Sequence, residues 1–130
     1  MKIQNLLKIG LFAGLIAALL NLAIFYISKF IGIISNNDLL PDGNPLSIAA
    51  VVLSTLLSGL VASLVLFVLS KFTKNSIKIF SIIGFIFLLV SMAGPFGTPN
   101  LPIGMRVTLS LMHIVAGIII IYGLTKKTNA

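Results

Sequence analysis

The chain has no cysteine, no tryptophan, a single histidine (His113) and only two carboxylates (Asp38 and Asp42) in 130 residues. The lack of cysteine excludes a disulfide, a thiolate nucleophile and a cysteine metal site. One histidine falls short of the roughly three or four side-chain ligands of a zinc site, so no metal is expected within one copy. Calcium takes roughly six to eight oxygens, and two aspartates in one polar segment read as turn residues. No paired carboxylates lie in any apolar stretch, and a Ser–His couple would lack the acid that orients the imidazole. These absences predict a protein that is not an enzyme and has no resident cofactor.

Charge is scarce too. Only 8% of residues are charged and 58% are hydrophobic, with a mean hydropathy of +1.20. Soluble domains carry about 25% charged residues. A globule this poor in charge would expose large apolar patches to water, so lipid is the expected solvent. The net charge of +7 comes from residues at the ends of apolar runs. It reads as topology signals and contacts with membrane lipids, without the basic footprint of a nucleic-acid binder.

A spanning helix needs about 20 mostly apolar residues, and the stretches 9–28, 46–69, 76–93 and 103–124 fit. They are continuously apolar, unlike the alternating strands of a membrane barrel. With flanking turns, the expected helices are 6–30, 45–70, 76–94 and 103–124, forming one domain over 1–130. The fold class is all-α integral membrane, a four-transmembrane-helix bundle. The first helix has room to run past Lys29 toward Ser35, because Phe30, Ile31, Ile33 and Ile34 stay apolar. Its apolar core is too long for a signal peptide and lacks a small-x-small cleavage site, so it is expected to be retained. Gly94-Pro95 is expected to stop the third helix. The segment 94–102, with Pro95, Pro99 and Pro102, should be a non-helical connector.

Lys2, Lys8, Lys71, Lys74, Lys78, Lys126 and Lys127 fall on one side of this topology, and Lys29 and Arg106 on the other. The bias places both termini in the cytoplasm, with the chain in a cell inner membrane.

Small residues let membrane helices approach closely. Gly10, Gly14, Ala17 and Asn21 share a face of the first helix, Ser54, Ser58 and Ala62 one of the second, and Ser110, His113 and Gly117 one of the fourth. These three stripes are expected to face one another, bringing Asn21, Ser58, Ser110 and His113 together at mid-depth, with Ser91 nearer the outer surface. An ionisable residue inside a membrane is a functional candidate by default, and His113 is the only one well inside a span. Arg106, at the outer start of the fourth helix, is a candidate contact for an anion or lipid.

Ser91-Met92-Ala93-Gly94-Pro95 at the end of the third helix and Met112-His113 in the fourth resemble an uncharacterised family of small bacterial four-helix membrane proteins, a domain of unknown function. The resemblance covers nearly the whole chain by helix count. It implies four helices and a bacterial membrane, and no activity. Small multidrug exporters are similar only in size, since their transport depends on a glutamate in the first helix, where this chain has Asn21.

The leading expectation is a small non-enzymatic accessory or interaction protein, as a homo-oligomer or with a membrane protein partner. One alternative is a small-molecule binder or transporter with a polar site at His113 and Asn21. Another is haem or quinone binding through His113, a dimer supplying two imidazoles.

Overall fold

The computed structural model describes residues 1–129. Five helices follow in order: α1 (Ile3–Phe30), α2 (Ile48–Phe72), α3 (Ser76–Ser91), α4 (Ala93–Gly97) and α5 (Ile103–Asn129). With α3 and α4 joined into one span, Ser76–Gly97, four spans are long and apolar enough to cross a membrane. The protein is a four-span membrane helical bundle. Among the described residues no strand forms, only an isolated bridge between Leu39 and Pro45.

α1 starts, α2 ends, α3 starts and α5 ends at one end of the bundle, which gathers seven lysines (Lys2, Lys8, Lys71, Lys74, Lys78, Lys126 and Lys127). The opposite, lysine-poor end carries Lys29 and Arg106. α1 is the hub and packs on α2 and α5. α3 packs on α2 and α5 and does not touch α1.

Helix boundaries follow local chemistry. α1 ends at Phe30 and does not run on toward Ser35, because Gly32 takes a positive φ of 81°. The Ile33 N–H then donates to Ser28 O at 2.9 Å and the Gly32 N–H to Lys29 O at 3.2 Å. This is a Schellman cap, which satisfies carbonyls that a helix end leaves free. α2 begins at Ile48, later than Pro45 suggested, where Ser47 Oγ accepts from Ala50 N at 3.1 Å as an N-cap. The third span corrects the expected stop. After a bend at Met92 the chain makes a further helical turn, Ala93–Gly97. Pro95 lies in its first turn, where its missing N–H removes no helical bond. α5 runs beyond 124, with Thr125 and Thr128 bonding back to Ile121 and Leu124 carbonyls.

Two apolar clusters fill the bundle. At the lysine-poor end Phe25, Val51, Met105 and Met112 pack with Ile34, Leu46 and Leu101 from the connecting loops. The loops therefore plug that end of the bundle. At the lysine-rich end Leu6, Ala13, Leu66, Phe80, Ile120 and Leu124 interlock.

The backbones of α1 and α2 meet at glycines. A Cβ on Gly59 would collide with the Gly10 carbonyl oxygen and come 3.3 Å from Gly14 Cα. Ser63 Oγ, one turn on, lies 2.8 Å from Leu6 O across this contact and 2.9 Å from Gly59 O. Small residues here replace the hydrophobic effect that lipid withholds from helix pairs.

Candidate functional site

Asn21 is where the stripe of α1 predicts, buried between helices, and its Nδ2 donates to Thr55 Oγ1 at 3.3 Å. Thr55 Oγ1 in turn donates to Val51 O at 2.7 Å. Asn21 Oδ1 has no protein partner. The α2 partner is therefore Thr55, which the sequence reading passed over. The buried stripe of α2 is Val51, Thr55, Gly59 and Ser63, one residue along from the expected Ser54, Ser58 and Ala62. One residue turns a helix by about 100°, so the expected inward position of Ser58 is corrected. Ser58 is exposed, and its Oγ donates to Ser54 O at 2.8 Å.

The fourth span needs the same correction. α5 turns Met105, Thr108 and Met112 inward, with Thr108 Oγ1 donating to Ser28 Oγ of α1 at 3.3 Å. Thr108 and Ser28 were not singled out, since hydroxyls near helix ends carry no sequence mark of pairing. Gly117 faces α3, where a Cβ would press on Leu88. Ser110 is buried, and its Oγ has no protein partner. Ser91 is half-buried on α3 and bonds back to Leu88 O at 2.7 Å.

His113 is exposed, and its Nδ1 lies 2.7 Å from Leu109 O on its own helix. A carbonyl only accepts, so Nδ1 carries the proton. In the neutral ring Nε2 is then a bare lone pair. The expected cluster of Asn21, Ser58, Ser110 and His113 in the bundle centre does not form. Asn21 and Ser110 are buried and Ser58 and His113 are exposed.

Ser58 and His113 are both exposed on their helices. His113 lies seven residues before Ile120, two helical turns along one face of α5. Ser58 lies four residues before Ala62 on α2. At the lysine-rich end Leu66 of α2 and Ile120 and Leu124 of α5 belong to one apolar cluster, with Ala62 and Leu69 packed against it. Ser58 and His113 are each ten residues from the start of their helix, about 15 Å by helical rise. α2 and α5 run in the same direction, and both residues lie near the middle of their spans. Large side chains of α2 and α5 thus fill the bundle near the lysines, while Ser58 and His113, nearer the middle of their spans, are exposed.

Arg106 is committed to its own loop. Its Nη1, Nε and Nη2 donate to the carbonyls of Phe96, Leu101 and Thr98 at 2.5, 2.8 and 2.9 Å. Asp38 and Asp42 cap turns, with Asp38 Oδ2 accepting from Ser35 N and Asp42 Oδ1 from Asn44 N. A cleft of about 230 Å³ lies beside this loop, between Leu40 and Pro41 on one wall and Thr98 and Asn100 on the other.

The family model described as "Family of unknown function (DUF6069)" matches residues 2–130. The chain belongs to that family of unknown function. Comparison with curated proteins and with solved structures gave no match.

Proposed function

We propose that this DUF6069 protein is a small non-enzymatic accessory protein of a bacterial inner membrane, with both termini cytoplasmic, that works by lateral contact with another membrane protein. The contact surface is the mid-span part of α2 and α5 where Ser58 and His113 are exposed. The observation that carries the reading is the outward imidazole of His113, with Nδ1 engaged by Leu109 and Nε2 left as an acceptor.

Ionisable groups in spanning segments almost always face a protein interior or a water-filled cavity. An acceptor left unbonded in hydrocarbon is unfavourable. A spanning helix with a hydroxyl or amide N–H at mid-depth would satisfy Nε2. Ser58 and Ala62 on α2 are small enough to let its backbone come close. In a symmetric pair of identical chains Nε2 would be satisfied only where each His113 met a hydroxyl or N–H of the other copy, since two facing Nε2 acceptors satisfy neither. A small-molecule site is less well supported, since ligand pockets enclose about 300–1,000 Å³ and Ser58 and His113 are exposed.

Photo-crosslinking in intact membranes tests this. A benzophenone side chain at position 58 should give a discrete protein adduct, and one at Leu57, on the far side of α2, should not. The adduct should disappear in His113→Ala and persist in His113→Gln, which keeps an acceptor. An adduct indifferent to His113→Ala would overturn the proposal. One of twice the chain's own mass would replace it with self-assembly, and one the size of a small molecule would replace it with ligand binding. The free Nε2 lone pair is also what a haem iron takes up. That second reading requires a coloured protein with a Soret band lost in His113→Ala.

A further inference from the structure

We infer that the cleft between the first turn of α1 and the last turn of α5 binds an anionic phospholipid by its headgroup phosphate. The cleft measures about 210 Å³. Lys2, Asn5, Lys127 and Thr128 form its rim, and Leu6 and Ile9 its floor. Leu6 is 2% exposed and belongs to the apolar cluster of the lysine-rich end. The wall thus passes from ammonium groups through an amide to aliphatic side chains within about two helical turns, or roughly 11 Å. A phospholipid has the same order: phosphate, ester-linked glycerol, acyl chain.

Charge and size narrow the occupant. Among the residues of the cleft wall there are two lysines and no carboxylate, so it selects an anion. The volume is below the roughly 300–1,000 Å³ of sites that enclose a whole metabolite. It suits a headgroup whose tails leave along the bundle. None of the other five lysines at this end lines the cleft, and Lys71 Nζ and Lys126 Nζ lie over the Phe67 and Tyr122 rings, 4.9 and 5.5 Å from their centres. Basic pockets between spanning helices are an established way to hold anionic headgroups, each lysine contributing about a fivefold preference.

The purified protein is titrated with phosphatidylglycerol and with phosphatidylcholine of matched acyl chains, and bound lipid is counted by native mass spectrometry. Phosphatidylglycerol should be preferred, and the double variant Lys2→Gln, Lys127→Gln should lose about 25-fold of that preference. The control Lys74→Gln, Lys78→Gln removes the same charge from the same end outside the cleft and should keep it. All four lysines are exposed, and circular dichroism verifies that both variants fold. Equal losses in the two variants would overturn the site in favour of diffuse surface attraction. No phosphatidylglycerol preference in the native chain would overturn it outright. Displacement of the lipid by millimolar inorganic phosphate would make the cleft a free-phosphate site and overturn the lipid assignment.

Discussion

Replacing Gly59 with alanine places a methyl group against the Gly10 carbonyl oxygen. Both groups are fixed to helix backbones, so no side chain can swing away, and α1 and α2 must move apart. Overpacking of this kind costs about 1–3 kcal/mol. Separation also stretches the Ser63 hydrogen bond to Leu6 O, now 2.8 Å, and such bonds between membrane helices contribute about 0.6–2 kcal/mol. The better helix propensity of alanine returns about 1 kcal/mol. The net expectation is a loss of about 1–4 kcal/mol, read by SDS titration in mixed micelles with far-UV circular dichroism. Gly97→Ala is the control. Nothing lies within 4 Å of the Cβ it would add, so it should change stability by about 1 kcal/mol at most, in the stabilising direction. Gly10→Ala strains the same contact, and once one alanine has parted the helices the second should add little. The single-variant losses should therefore be clearly non-additive. A Gly59→Ala protein within about 0.5 kcal/mol of the native chain would refute the close approach and the register of α1 against α2.

Three further outcomes follow from the polar side chains. Asn21→Leu removes an amide whose Oδ1 has no protein partner, so stability in the same titration should change by less than about 1.5 kcal/mol, in either direction. Arg106→Lys replaces a planar fork that spans three carbonyls with a point charge that cannot match them. Amide hydrogen exchange should quicken in the segment 96–101 while α1 and α2 stay protected. His113→Leu breaks only a bond within its own helix, so the isolated protein in lipid should be as stable as the native chain or slightly more so. A loss above about 2 kcal/mol would make His113 structural glue and refute its assignment to an outer contact.

The four spans were legible because the lipid requirement is written in run length, and α1's inward face because Gly10, Gly14, Ala17 and Asn21 form one stripe with no rival. α2 shows where legibility stopped. Ser54, Ser58 and Ala62 make a small-residue stripe, and so do Thr55, Gly59 and Ser63 one position on. Spacing alone cannot choose between them. The deciding feature is that only glycine lets the α2 backbone touch Gly10, and Gly59 is the one glycine in α2. In α5 the small and polar residues Ser110, His113 and Gly117 looked like the face turned to α1. The structure instead assigns that contact to Met105, Thr108 and Met112, because Phe25 needs large partners to fill the space where α1 and α5 meet. Gly32 was hidden among apolar neighbours, and its role appears only with the positive φ of the cap.

The hydroxyls also bear on what kind of protein this is. Ser54, Ser58, Ser70, Ser81 and Ser91 each donate to a carbonyl three or four residues back on their own helix. Such bonds satisfy a polar group in lipid without recruiting a neighbour. Side-chain bonds between spans are few: Asn21 to Thr55, Ser63 to Leu6 and Thr108 to Ser28. A transport path for a polar substrate needs polar groups left free to trade partners along the bundle axis, whereas here most are spent locally and the bundle is held by backbone contact and apolar packing. Three groups depart from this: Asn21 Oδ1 and Ser110 Oγ are buried without a protein partner, and the exposed His113 follows the local rule at Nδ1 and not at Nε2. The outward acceptor of His113 is the group that the proposed lateral contact would satisfy, whereas Asn21 Oδ1 and Ser110 Oγ are the groups that a ligand inside the bundle would have to reach.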